Sequence, residues 1–179
     1  METTLKDIRI EISKTLEDKG FENAIHEAKW LIAYVLGQDS SYITLNPDEI
    51  FPENLRSKLE ETLRRRLNHE PLSRIRGCRE FWSLEFDLNA HTLDPRPDSE
   101  ILVEGVLAKA SKTQEYRILD LGTGTGCLLI SLLKELPNAY GVGGDRSYEA
   151  LQMARHNAEK GGVADRASFF QGSWAEALS

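Results

Sequence analysis

Arg117-Ile118-Leu119-Asp120-Leu121-Gly122-Thr123-Gly124-Thr125-Gly126-Cys127 is the stretch that decides the fold. A short apolar run ends there at a loop with glycine at every second position, and an apolar helical stretch follows from Cys127 to Leu136 before Pro137. Glycines so placed let the backbone turn tightly and approach a ligand with no Cβ between them. In a parallel α/β sheet, ligands bind beyond the carboxyl ends of the strands, which is where this loop falls. The dinucleotide fingerprint asks for a further glycine at position 127, and Cys127 stands there instead. A nucleoside without phosphates therefore suits the loop better than a pyrophosphate.

Working downstream, Tyr140 to Gly144 reads as a second strand that ends at Asp145, about 20 residues past the loop, where a ribose-binding carboxylate is expected. A carboxylate accepts two hydroxyl hydrogen bonds at once, which matches vicinal ribose oxygens. Ser147 can cap a helix running to Gly161-Gly162, and Ala167 to Gln171 reads as a third strand. This alternation predicts a parallel sheet with right-handed crossovers. Trp174 follows the third strand, and its ring can either lie on an adenine face or cover an edge of the core.

Upstream, the first seventy or so residues read as a small helical bundle. Leu5, Ile8, Ile12 and Leu16 form one stripe ended by Gly20. Ile25, Ala28, Leu31, Ile32, Val35 and Leu36 form a second, ended by Gly37, and Leu55, Leu59, Leu63 and Leu67 a third, after Pro52 and before Pro71. Leu84, Phe86 and Leu88 then alternate with polar residues, the pattern of a half-buried strand. Pro95 and Pro97 exclude a helix through their stretch, and Asp98 or Ser99 can cap the helix of Ile101, Leu102, Val106 and Leu107.

Composition excludes several classes. The 179 residues are 40% apolar, with 22 basic and 29 acidic residues and a net charge of −7, so no broad phosphate-binding surface is expected. Arg64-Arg65-Arg66, the dense basic run, reads as a solvated helix face. The polar opening from Met1 to Asp7 is no signal peptide, and no apolar stretch approaches the roughly 20 residues of a membrane span. A cytoplasmic protein with Cys78 and Cys127 unpaired is expected, and no zinc site. Cys127 reads as a small core residue, and His26, His69, His91 and His156 as surface residues with no metal or triad spacing.

Gly77-Cys78-Arg79-Glu80-Phe81-Trp82, Leu93-Asp94-Pro95-Arg96-Pro97-Asp98-Ser99-Glu100 and Ile118 to Cys127 together resemble the HemK family, the peptide-chain release factor glutamine methyltransferases. The resemblance spans nearly the whole chain, and the Pro-Arg-Pro segment is more specific to the family than the glycine loop. It implies an α/β protein in three parts. Residues 1–75 would be a helical domain that recognises a release factor, 76–97 a β-hairpin linker, and 98–179 an incomplete Rossmann-like methyltransferase domain. It implies methyl transfer from S-adenosyl-L-methionine to the side-chain amide nitrogen of the glutamine in the release factor's Gly-Gly-Gln motif. No direct nucleic-acid or membrane partner is implied. Gly122, Thr123, Gly124, Thr125 and Gly126 would cradle the methionine and ribose of the cofactor. Asp145 would hold the ribose hydroxyls, Trp174 would lie beside the adenine, and Asp98-Ser99-Glu100 would border the methionine end.

The chain departs from the family's pattern at three places. Ser173 stands where many relatives carry an acidic residue. Gly143-Gly144 replaces bulkier residues, which is expected to weaken that strand by about 0.5–1 kcal/mol per glycine. The family's substrate-gripping motif, Asn-Pro-Pro-Tyr, does not occur, so no catalytic residue is assigned. The expectation is a chain that stops at Ser179 before a fourth strand, leaves the strand of Ile118 and Leu119 as an open edge, and is marginally folded and inactive alone. Two further readings are a methyltransferase of another amide or amine, such as a nucleobase, and a non-catalytic module that docks on a release factor.

Overall fold

Thr4 opens the first helix with a reciprocal cap: the Asp7 N–H donates to Thr4 Oγ1 and the Thr4 N–H to Asp7 Oδ2, each at 3.2 Å. The structure, a computed structural model, describes residues 3–174. It divides into two compact units, Met1–Arg76 and Gly77–Ser179.

The first unit is built of helices, α1 Leu5–Glu17, α2 Ala24–Leu36, α3 Ser40–Leu45, α4 Arg56–Leu67 and α5 Leu72–Arg76, with one antiparallel bridge between Thr4 and Ile50. Leu5, Ile8, Ile12 and Leu16 are all buried, as their spacing predicts, against Ala28, Leu31, Ile32 and Val35 of α2. Ile25, expected in that second stripe, instead points outward at 58% exposure. Gly37 ends α2 in the left-handed region at φ 66°. The third helix begins later than expected, because Pro52 leads into a 3₁₀ turn, Glu53–Leu55, before α4.

The basic run is not simply a solvated face. Arg64 pairs with Glu61, Arg65 with Glu70 and Arg66 with Glu27. Arg66 and Glu27 are largely covered, at 15% and 14% side-chain exposure, and the guanidinium lies 4.4 Å from the Phe21 ring centre. Each buried charge is thus matched, which a water-excluded ion needs.

The second unit opens with an antiparallel hairpin, β1 Cys78–Phe81 and β2 Leu84–Asp87. Its turn residues, Trp82 and Ser83, both have positive φ, 52° and 56°, the conformation that suits a two-residue hairpin and is usually left to Gly or Asn. The Trp82 N–H donates to Glu100 and its indole N–H to Glu135, which fastens the strained turn. Then come α6 Glu100–Leu107, β3 Arg117–Leu121, α7 Cys127–Glu135, β4 Tyr140–Asp145, α8 Tyr148–Lys160 and β5 Ala167–Gln171. The last three strands pair in parallel in the order β3-β4-β5. Ser147 caps α8 as expected, its hydroxyl accepting from the Ala150 N–H. Ser99 stands at the start of α6 without any such bond.

The core of this unit gathers Phe81 and Phe86 of the hairpin, Val103 of α6, and Leu129, Ile130 and Leu133 of α7. The glycines of β4 are not gaps in it. A Cβ at Gly143 would lie 2.8 Å from the Phe169 ring, one at Gly144 2.5 Å from the Phe170 ring, and one at Gly141 would run into Leu129. The expected weakening of the strand is therefore offset by side chains of β5 and α7 that fill the space. Among the described residues β3 pairs on one side only, and Leu119 is 49% exposed. Ile101, Leu102 and Val106 of α6 are exposed as well.

Candidate functional site

The parallel register brings the carboxyl ends of β3, β4 and β5 level, with Leu121 beside Gly144 and Asp145 beside Gln171. The glycine loop leaves β3 at that rim. Gly122, Gly124 and Gly126 have φ of 79°, 55° and 80°, which in any other residue costs roughly 1–2 kcal/mol each. The threonines between them turn inward: Thr123 and Thr125 are buried.

Strand ends hold the loop. The N–H groups of Gly122 and Thr123 both donate to the Gly144 carbonyl, at 2.8 and 3.0 Å, and the Gly126 N–H donates to the Thr123 carbonyl at 2.8 Å. The Gly124 N–H donates to Asp145 Oδ2 at 3.0 Å, while the Ser147 N–H donates to Asp145 Oδ1 at 2.9 Å. The Asp145 carboxylate is therefore fixed through both oxygens, and each oxygen keeps lone-pair capacity for a further donor.

A cleft of about 290 Å³ opens at this rim, lined by Gly122, Asp145, Arg146, Gly172, Ser173 and Trp174. That is at the low end of the roughly 300–1,000 Å³ usual for small-molecule sites. Trp174 is 75% exposed, so its ring is not a lid on the core. At Gly122 a Cβ would meet no protein atom within 4 Å, so the missing side chain leaves space in the cleft. These features fit a nucleoside: an open backbone turn, a pinned carboxylate with acceptor capacity to spare, and an aromatic ring at the rim.

Three of the expected residues thus meet in one cleft, Gly122, Asp145 and Trp174. The other four support it. Gly124 holds Asp145, Thr123 and Thr125 pack beneath, and Gly126 is a packing requirement, since a Cβ there would lie 2.8 Å from Ile130 and 3.3 Å from Ala154. The Asp98-Ser99-Glu100 stretch is not part of the lining. Glu100 faces a different recess with Glu80, Trp82, Ser83 and Glu135.

Three groups that sequence reasoning passed over join the site. Arg146 lines the cleft beside Asp145. Asp120, at the end of β3, accepts from Thr123 Oγ1 at 2.7 Å. Burial pushes its carboxyl above the ordinary range; the Thr123 bond opposes that, and the nearby Asp145 charge adds to it. Asn157 of α8 donates to the Thr125 carbonyl from below. The detectable sign of Asn157 was a lone amide within the apolar stripe of Ala150, Leu151, Ala154 and Ala158. Cys127 is not a nucleophile in waiting, because burial pushes its thiol up and keeps it protonated.

Both units have recognisable counterparts. Residues 7–77 match the family model described as the PrmC N-terminal domain, and residues 112–179 match one described as a methyltransferase domain. The release factor glutamine methyltransferase of Vibrio cholerae is 38% identical over all of this chain and 62% of its own length. That of Bradyrhizobium diazoefficiens is 38% identical over 98% of this chain and 60% of its own. A bifunctional methyltransferase of Rickettsia felis is 38% identical over 99% of this chain and 39% of its own length. The chain thus spans about 60% or less of these curated relatives. A match to the PrmC N-terminal domain is thus followed by a match to a methyltransferase domain, and similarity to release factor glutamine methyltransferases runs along almost every residue of the chain.

Proposed function

We propose that the rim cleft of the second unit binds S-adenosyl-L-methionine, and that the protein's reaction is methylation of a glutamine side-chain amide in a peptide-chain release factor. The observation that carries the cofactor reading is the Asp145 carboxylate, held by the Gly124 and Ser147 N–H groups at the mouth of a glycine turn with acceptor capacity left for ribose hydroxyls. When bound, the cofactor supplies an electrophilic methyl group on a sulfonium. Gly122 would leave room for its methionine and ribose part, Asp145 would hold the sugar, and Trp174 would lie along the base. This chain's task is alignment, since displacement at a methyl carbon needs nucleophile, carbon and leaving sulfur in line.

The release-factor reading is supported by the match of residues 7–77 to the PrmC N-terminal domain and by the names of the relatives. Gly-Gly-Gln as the target motif rests on the resemblance alone. Asn-Pro-Pro-Tyr, which would grip the amide in the family, does not occur in these 179 residues. The chain by itself is therefore proposed to bind the cofactor without transferring its methyl group. A reducing, cytoplasmic setting suits a chain in which no disulfide joins the two cysteines.

Calorimetry with S-adenosylhomocysteine tests the site. One-to-one binding that Asp145→Ala weakens at least about tenfold is expected, the loss of one or two hydrogen bonds to a charged group. Uptake of NAD in preference to the nucleoside would overturn the reading. Transfer of labelled methyl to a release factor by the 179-residue chain would refute the proposed inactivity.

A further inference from the structure

Asn157 is the one residue of α8's buried face that carries an amide, and it is 2% exposed. All of its polar atoms are engaged. Nδ2 donates to the Thr125 carbonyl at 3.0 Å and to the Asp87 carbonyl at 3.1 Å, while Oδ1 accepts from the Asp87 N–H at 2.9 Å. The partners leave no ambiguity in the amide's orientation, because turned over it would set its oxygen against two carbonyls.

The bond to Thr125 falls on a mechanically sensitive point. Thr125 lies between Gly124 and Gly126, both in the left-handed region, and glycine crosses between backbone regions at little cost. The peptide plane between Thr125 and Gly126 could therefore turn over unless something holds it. Its N–H end donates to the Thr123 carbonyl, a bond within the loop itself. Its carbonyl end is held from outside the loop by Asn157. The remaining anchors, Gly144 and Asp145 of β4 and Asp120 of β3, hold the loop's first half.

We propose that Asn157 is a positioning residue for the cleft: it pins the Thr125–Gly126 peptide plane and so keeps the glycine loop in its binding-competent shape. This rests on the reading of the cleft as a nucleoside site. Without the pin the loop becomes an ensemble, and apparent affinity falls by the fraction of molecules that keep the competent shape. The same amide grips both backbone groups of Asp87, so one side chain ties β2 to the loop.

Amide hydrogen exchange on the ligand-free chain reads the pin directly. In Asn157→Ala, exchange in the Gly124–Gly126 segment should rise about tenfold, the equivalent of one lost hydrogen bond, with β4 and α7 within about twofold of the parent. The dissociation constant for S-adenosylhomocysteine should rise about tenfold in parallel. Lys160→Ala is the control. It removes the ion pairs from α8 to Glu85 and Asp87 while leaving Asn157 in place, and should change neither readout.

If Asn157→Ala loses protection throughout β3, β4 and β5, Asn157→Ser carries the test, since its hydroxyl fills part of the space and reaches at most one of the two carbonyls. Unchanged loop exchange in these variants would overturn the assignment. So would an equal rise in Lys160→Ala, which would make hairpin docking the cause. A parent chain that ignores S-adenosylhomocysteine while its loop responds as expected would sink the nucleoside reading and leave the pin standing.

Discussion

The first unit closes its own core, and the second does not. Between Leu5 and Ile75 the helices bury their stripes against one another, and the outward apolar residues, Ile10, Ile25, Leu45 and Ile50, are scattered along different elements. In the second unit several come in two groups, Ile101, Leu102 and Val106 on α6, and Leu119 of β3 beside Val142 of β4, with Leu93 and Tyr148 exposed singly. Scattered exposure is ordinary for a protein surface, whereas clustered exposure forfeits burial energy at about 25 cal/mol per Å². A helix satisfies its backbone groups internally except at its capped ends, while a sheet passes that need on to its edge strands. The half that carries the site is therefore expected to be the first to lose protection when its core is cut.

The largest effect should come from matched core deletions. Leu31 of α2 and Leu133 of α7 are each almost fully buried, and truncation to alanine should cost about 2–5 kcal/mol at either place. Hydrogen exchange should show α1 and α2 still protected in Leu31→Ala, and β3–β5 stripped of protection in Leu133→Ala. The reverse outcome would break the comparison. A smaller contrast separates two glycines. Gly141 of β4 has Leu129 and Leu133 where a Cβ would sit, so Gly141→Ala should cost about 1–3 kcal/mol of overpacking. Gly37, at φ 66° with nothing nearby, carries only the backbone penalty, so Gly37→Ala should cost about 1 kcal/mol. Urea midpoints measure both.

What was legible in the sequence was whatever depends on near neighbours. The α1 stripe and the strand–loop–helix order after residue 116 follow from periodicity and spacing, and the fold sets the Gly124 N–H against the Asp145 carboxylate. Ile25 fits its stripe by period yet faces out, because which edge of an apolar face is covered depends on the helices that pack there. Helices α3 and α5 are only 6 and 5 residues long, too short to show a period. The Trp82-Ser83 turn carries neither Gly nor Asn and is held by Glu100 and Glu135 from far along the chain. Asn157 and Asp120 were passed over for the same reason. Asn157 grips Asp87, 70 residues away, and the environment of Asp120 exists only once β4 lies beside β3.

The smallest effect sets Asp120 apart by the sign of its response to pH, since Asp87, Glu135 and Glu149 of the second unit are lowered like the shifted carboxyls of the first. In the first unit the shifted carboxyls, Asp7, Asp39, Glu61 and Glu70, are all lowered by hydrogen bonds or arginine partners. Such groups add stability above their unfolded pKa and lose it as pH falls through the folded one. Asp120 runs the other way. Its carboxyl is raised from 3.8 chiefly by burial, so the folded state holds its proton more tightly than the unfolded chain does. Stability from that source is fully present below 3.8 and is lost as pH rises through the folded value. Asp120→Asn removes the titrating group while its amide oxygen can still accept from Thr123. At neutral pH the variant should melt slightly above the parent, by less than the change in Gly141→Ala, and the gain should vanish on acidification below the unfolded carboxylate range. A variant that gains more at low pH than at neutral would mean that Asp120 is stabilised as an anion, like Asp87, Glu135 and Glu149 of the same unit.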